Sequence, residues 1–175
     1  MTNKSERIFC FEPIVGLNPK ILILGTMPSV TSLEESTYYA SSKNHFWDFA
    51  YRILVPDYPH YKVFDSSIPR ENRYSLITSN SIAIWDIVSS CTRVGSNDKN
   101  IKDEQFNDIL SFVDKFALNA IICNGGLAFK FLKKSKQHKF LQIPIITLNS
   151  TSSLNPNNTF EILDEWMNCF KKQLS

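Results

Sequence analysis

Little in this sequence could staple or tether the chain. The four cysteines, Cys10, Cys91, Cys123 and Cys169, are far apart, form no C-x-x-C pair and have no histidine at zinc-like spacing. That argues against zinc and iron–sulfur frameworks. No metal or other cofactor is expected, and the thiols read as the buried, reduced cysteines of a cytoplasmic protein. No apolar run approaches the length of a membrane span or a signal-peptide core, and the segment Met1 to Arg7 is polar, so neither membrane insertion nor export is expected. Internal repeats and low-complexity tracts are missing as well. Nor is either sign of charge in excess: a net charge of +2 gives no global signature of a nucleic-acid partner, so any such face must rest on local clustering.

What the chain does have is apolar bulk. Hydrophobic residues make up 43% and charged residues 21% of 175 residues, enough to fill the core of one domain spanning 1–175. The first strong apolar run, Lys20 to Leu24, leads straight into Gly25 and Pro28. It predicts a strand buried on both faces that ends abruptly in a turn. Gly25 can adopt positive φ and Pro28 fixes its own, so Thr26, Met27 and Ser29 are expected at the strand's carboxyl end, where ligands sit in open α/β sheets.

Residues Ile8 to Asn18 read as a lead-in that packs Phe9, Phe11 and Ile14. Asn44 is placed to cap a helix whose apolar positions run from Phe46 to Leu54 and stop at Pro56. A loop at 57–67, a short helix from Pro69, a second buried strand over Ser81 to Val88 and a polar run from Ser89 to Lys102 follow. Asp103 is then expected to cap a helix with Phe106, Ile109, Leu110 and Val113 on one face. Ala120 to Cys123 and Ile143 to Leu148 read as further strands, separated by a helix over Leu127 to Lys134. The last helix, Thr159 to Leu174, carries Phe160, Leu163, Trp166, Met167 and Phe170 on one face. Four strands alternating with helices predict a three-layer αβα sandwich with a central four-stranded parallel sheet, all four strand-end loops lying along one rim.

Those loops are polar and small: Gly25 to Ser29, Ser89 to Asp98, Asn124-Gly125-Gly126, and Asn149 to Asn155. Their hydroxyls and backbone donors suit phosphate oxygens, although Ser and Thr also make good turns for no other reason. In Asn44-His45-Phe46-Trp47, the amide could bond a base edge or hold a water and Phe46 could stack on a flat ligand; the other reading is a helix cap followed by core aromatics. Lys130, Lys133, Lys134, Lys136 and Lys139, with His138, form either a solvated face or a track for a phosphate backbone.

Taken in order, five of these motifs resemble the uracil-DNA glycosylase superfamily, in particular its hypoxanthine (deoxyinosine) DNA glycosylase branch. Gly25-Thr-Met-Pro-Ser29 occupies the place of the strand-end GQDPY or GINPG loop. Tyr38-Tyr39-Ala-x-x-x-Asn44-x-Phe46-Trp47 resembles the branch most specifically. Trp85-Asp86-Ile-Val-x-x-Cys91-x-Arg93-x-Gly95-Ser96-x-Asp98-x-x-Ile101, then Asn124-Gly125, then Ser150-Thr-Ser-Ser-Leu-Asn155 complete the set. The resemblance covers Ile8 to Trp166.

It implies a uracil-DNA glycosylase-like fold and a monomeric enzyme that flips a damaged base out of double-stranded DNA and hydrolyses its N-glycosidic bond. Asn44 is then the catalytic side chain, its carbonyl orienting a water. Phe46 stacks on the base, Asn124 meets the base edge, and Gly25 and Met27 shape the pocket. Ser150, Thr151, Ser152, Leu154 and Asn155 contact DNA, with Leu154 where other branches place a wedge. The first loop lacks the Asp of GQDPY and the Asn of GINPG, and Ser153-Leu154 stands where the branch has Pro-Ala. A dissociative reaction suits an amide, which offers electrostatic support rather than a strong base. No lysine is placed by motif to form an imine, so a monofunctional enzyme is expected. The rival readings are uracil or xanthine as the base, and a non-catalytic nucleotide-binding module using the same rim.

Overall fold

The computed structural model describes residues 6–59, 64–155 and 159–175. Part of the expected 57–67 loop and most of the polar start lie outside them. In chain order the elements are β1 (Arg7–Phe9), β2 (Ile21–Gly25), α1 (Val30–Glu34), α2 (Phe46–Leu54), α3 (Arg70–Ser79), β3 (Ile82–Asp86), β4 (Val88–Thr92), β5 (Lys102–Phe106), α4 (Ile109–Phe116), β6 (Ala120–Asn124), α5 (Gly126–Lys134), β7 (Ile145–Leu148) and α6 (Thr159–Leu174).

The central sheet has the order β3-β2-β6-β7, and every neighbouring pair is parallel. The expected four-stranded parallel sheet is therefore present. Alternation along each strand divides the interior in two. Ile21, Ile23, Ile82, Ile84, Ala120 and Ile122 face a core shared with α2, α3 and α6, in which Phe46, Trp47, Phe49 and Trp166 are fully buried. Leu22, Leu24, Ala83, Ile121 and Cys123 face a second core with α4 and α5. Helices on both faces complete the three layers.

The polar run after β3 departs from the expected loop. β1, β4 and β5 form a second, antiparallel sheet in the order β1-β4-β5. Its outer strand, Lys-Asp-Glu-Gln-Phe, has no apolar alternation to betray it, so pairing with the β4 backbone rather than side-chain burial makes it a strand. Asp103 consequently lies within β5, and the cap of α4 is Asp108, whose carboxylate accepts from the Ser111 N–H. Two apolar assignments also change: Phe9 and Phe160 are exposed, while α6 packs through Ile162, Leu163, Trp166 and Phe170. Among the described residues no helix is long and apolar enough to cross a membrane.

Candidate active site

Register aligns the strand ends. Gly25 pairs with Asp86 across β2 and β3, and Asn124 pairs with Leu148 across β6 and β7. The loops that follow close around a cleft of about 290 Å³ whose walls include Gly25, Met27, Tyr39, Asn44, Asp86 and Asn124. Ser150, Ser152 and Leu154 line it from the last loop. The stretches that sequence reasoning singled out are thus brought to one place.

Asn44 meets the start of α2 through its side chain: its Oδ1 accepts the Phe46 N–H at 2.9 Å. The same oxygen accepts the Thr151 hydroxyl at 2.9 Å. Thr151 Oγ1 in turn accepts from Asn124 Nδ2 at 3.0 Å, and the Thr151 N–H returns a bond to Asn124 Oδ1 at 3.0 Å. His45 N–H closes the lattice by donating to the Thr151 carbonyl at 2.9 Å. Both lone pairs of Asn44 Oδ1 are therefore used, and its Nδ2 has no acceptor among the described residues. With its carbonyl committed in this way, Asn44 has its N–H groups left to offer a ligand, which corrects the expectation that the carbonyl orients a water.

Thr151 is fully buried, with no surface left for a DNA backbone. Its hydroxyl is spent bolting Asn124 to Asn44, which corrects the expectation that it grips phosphate. Ser150 and Ser152 remain partly exposed at the cleft. Asn155 staples the loop, its Nδ2 donating to the Ser150 carbonyl at 2.9 Å, and Leu154 protrudes at 74% exposure. Gly125 is required twice over: its φ is +94°, and a Cβ there would lie 2.9 Å from Ser150 Cβ.

Phe46 is 1% exposed and does not line the cleft. Tyr39 stacks on it with ring centroids 4.1 Å apart, while Trp47 and Trp166 meet it edge-on. Tyr38 and Tyr39 are the aromatics that line the cleft; Tyr38 is buried, whereas Tyr39 is half-buried and held at φ +53°, a left-handed conformation uncommon for a bulky residue. The cluster Tyr38-Tyr39…Phe46 carried the signal, but spacing alone does not say which ring is outermost.

Gly25 sits within β2 without positive φ, so conformational freedom is not its reason. A Cβ at Gly25 would collide with Asp86 Oδ1 and come within 3.1 Å of the Tyr39 hydroxyl. Gly25 is there to admit the Asp86 side chain. That carboxyl is 3% exposed, and the Cys10 thiol donates to its Oδ2 at 3.9 Å. Burial pushes it up to about 8; the Asp98 charge adds to this and Arg93 opposes it. Burial, then Asp86, also raises the Tyr39 phenol, whose oxygen completes no hydrogen bond among the described residues.

Arg93 joins the rim segments. Buried at 7%, its guanidinium donates to Asp98 Oδ1 at 2.9 Å and to the Pro28 carbonyl at 2.5 Å. Ser96 accepts the Val30 N–H at 2.9 Å, so the segment after β4 is tied to the first strand-end loop at two points. Sequence reasoning assigned no role to Asp86, Arg93 or Asp98. An acid closing a buried apolar strand was the available signal for Asp86.

Comparison with known proteins agrees with this geometry. The family model described as the uracil DNA glycosylase superfamily matches residues 13–171. A hypoxanthine DNA glycosylase of Methanosarcina barkeri is 29% identical over 171 residues, covering 93% of this chain and 97% of its own. Another, from Methanosarcina acetivorans, is 28% identical over 116 residues, covering 66% and 69%. A solution NMR structure of a uracil DNA glycosylase candidate from Methanosarcina acetivorans superposes with a TM-score of 0.77 at 24% identity, over 97% of this chain and 100% of the other, which establishes likeness of fold. Matched over nearly its whole length, the chain belongs to the uracil DNA glycosylase superfamily.

Proposed function

We propose that this chain is a monofunctional DNA glycosylase of base-excision repair that flips a deaminated base, hypoxanthine of deoxyinosine, out of the duplex and hydrolyses its N-glycosidic bond. The observation that carries the reading is the Asn44 amide, fixed at the cleft by Thr151 and Asn124 in a chain whose curated relatives are named hypoxanthine DNA glycosylases. Taking a base out of the stack costs less when it is mispaired, so part of the selectivity comes from the DNA itself.

In this reading Asn44 works through its N–H groups. One of them holds a water beside C1′ through a single oxygen lone pair, leaving the other to form the bond to C1′, and a dissociative transition state asks position of that water more than basicity. Donation along Asn124, Thr151 and Asn44 runs in one direction and polarises the amide further. Tyr39, backed by Phe46, supplies the aromatic wall. Met27 and Gly25 shape the floor, Asn124 keeps an N–H for the base edge, and Ser150, Ser152 and Asn155 meet or shape the contact with the DNA backbone. Leu154 is the wedge. No lysine lines this cleft among the described residues, which supports hydrolysis without an imine or strand cleavage. Nothing in these steps asks for a second copy, so the working unit is a monomer.

End-labelled duplexes containing one inosine, uracil or xanthine, treated with enzyme and then alkali, test the reading. Alkali-dependent breaks at inosine are expected. Breaks only at uracil or xanthine would reassign the base, and binding without breaks at any base would favour a non-catalytic nucleotide-binding module.

A further inference from the structure

Asp86 is a buried carboxyl in the wall of the cleft and forms no ion pair among the described residues. Around it stand the Cys10 thiol of the lead-in, the Tyr38 and Tyr39 phenols before α2, and Arg93 and Asp98 beyond β4. Arg93 is committed to Asp98 and to the Pro28 carbonyl. Oδ2 takes the Cys10 thiol, whereas Oδ1 lies against Gly25 and makes no hydrogen bond among the described residues. The chain keeps a glycine in register with Asp86 and holds Tyr39 in a left-handed conformation beside it. A carboxyl maintained in this way, with one oxygen unengaged at a ligand cleft, is a built feature of the site.

We propose that Asp86 is the leaving-group acid of the cleft, giving its proton from Oδ1 to the departing purine. The inference rests on the glycosylase reading above. The C1′–N9 bond breaks and its electron pair goes to the base. The Asp86 proton moves to a base nitrogen or oxygen, water adds to C1′, and the proton released by that water restores the acid. Water and nucleotide thus give neutral hypoxanthine and an abasic site. An ionised carboxylate in the same place would repel the charge gathering on the base, so the neutral acid is the active form. With its carboxyl pushed up to about 8, Asp86 is mostly neutral near pH 7 and is lost as an acid as pH rises further.

Single-turnover cleavage of an inosine duplex, measured from pH 5.5 to 9.5 on wild type and Asp86→Asn, tests this. The wild-type rate is expected to fall on an alkaline limb centred near 8. The variant, which keeps the shape of the side chain, is expected to be slower by ~100-fold at pH 6.5, to lack that limb, and to bind an abasic-site duplex as wild type does. A variant within threefold of wild type, or a limb of the same position in both proteins, would overturn the proposal. If the variant does not fold, the wild-type profile decides: a rate flat or rising through pH 9 refutes the acid. Wild type inert at inosine but active at uracil overturns the choice of base instead, and the same comparison is then read on the uracil duplex.

Discussion

The Thr151 hydroxyl donates to Asn44 Oδ1 at 2.9 Å, joining residues 107 positions apart in the chain. Two of the motifs are one device: the loop after β7 sets the side chain that opens α2, and β6 anchors both through Asn124.

Removing that hydroxyl therefore reaches the active site without touching substrate. Thr151→Val keeps the volume but takes the acceptor from Asn124 Nδ2 and leaves Asn44 Oδ1 held by the Phe46 N–H alone. Chemical denaturation is expected to show a loss of about 1–3 kcal/mol. Single-turnover cleavage should drop by at least about tenfold, while duplex affinity is retained.

Gly25→Ala tests the space reserved for Asp86. The added Cβ meets a buried carboxyl backed by the sheet. Overpacking of this kind costs about 1–3 kcal/mol in thermal or denaturant unfolding. Cleavage should fall further than stability explains, because the displaced carboxyl is pushed into the cleft.

Asp86 also ties stability to pH. Its folded value, about 8, lies above that of an ordinary carboxyl, so the folded state holds a proton that the unfolded chain has released. The sign follows: stability falls as pH rises from about 4 to about 8, by roughly 1.4 kcal/mol per pH unit for this group at most. Asp86→Asn removes that dependence. Melting curves at pH 5 and pH 8 should show the variant gaining on wild type at the higher pH.

Leu154 protrudes at the lip of the cleft and contributes little to the core. Leu154→Ala should leave unfolding within about 0.5 kcal/mol of wild type. If the side chain fills the vacated stack, the variant loses rate on inosine paired in a duplex and keeps it on inosine in a single strand. Equal losses on both would remove the wedge role.

The parallel sheet was legible because its strands are short apolar runs ending in turn residues, and α6 was legible from its period. β5 was not, since an edge strand that is polar except for its last residue owes its existence to a partner 10 or more residues away rather than to its own pattern. The site divides in the same way. Asn44 and Asn124 announce themselves beside helix and strand ends. The burial of Thr151 and Phe46, and the place of Asp86 beneath Gly25, depend on register between segments that the linear chain does not display. Asp108 rather than Asp103 caps α4 for a similar reason: β5 claims the earlier acid first.

The proposed role of the Asn44 amide is in turnover and not merely in binding. The direct test is single-turnover alkali-revealed cleavage of an inosine duplex by wild type and Asn44→Ala, with duplex affinity measured on the same preparations. The variant is expected to bind within about threefold of wild type and to cleave at least ~100-fold more slowly. A variant that cleaves at the wild-type rate, or one that loses binding and cleavage in equal measure, would contradict it.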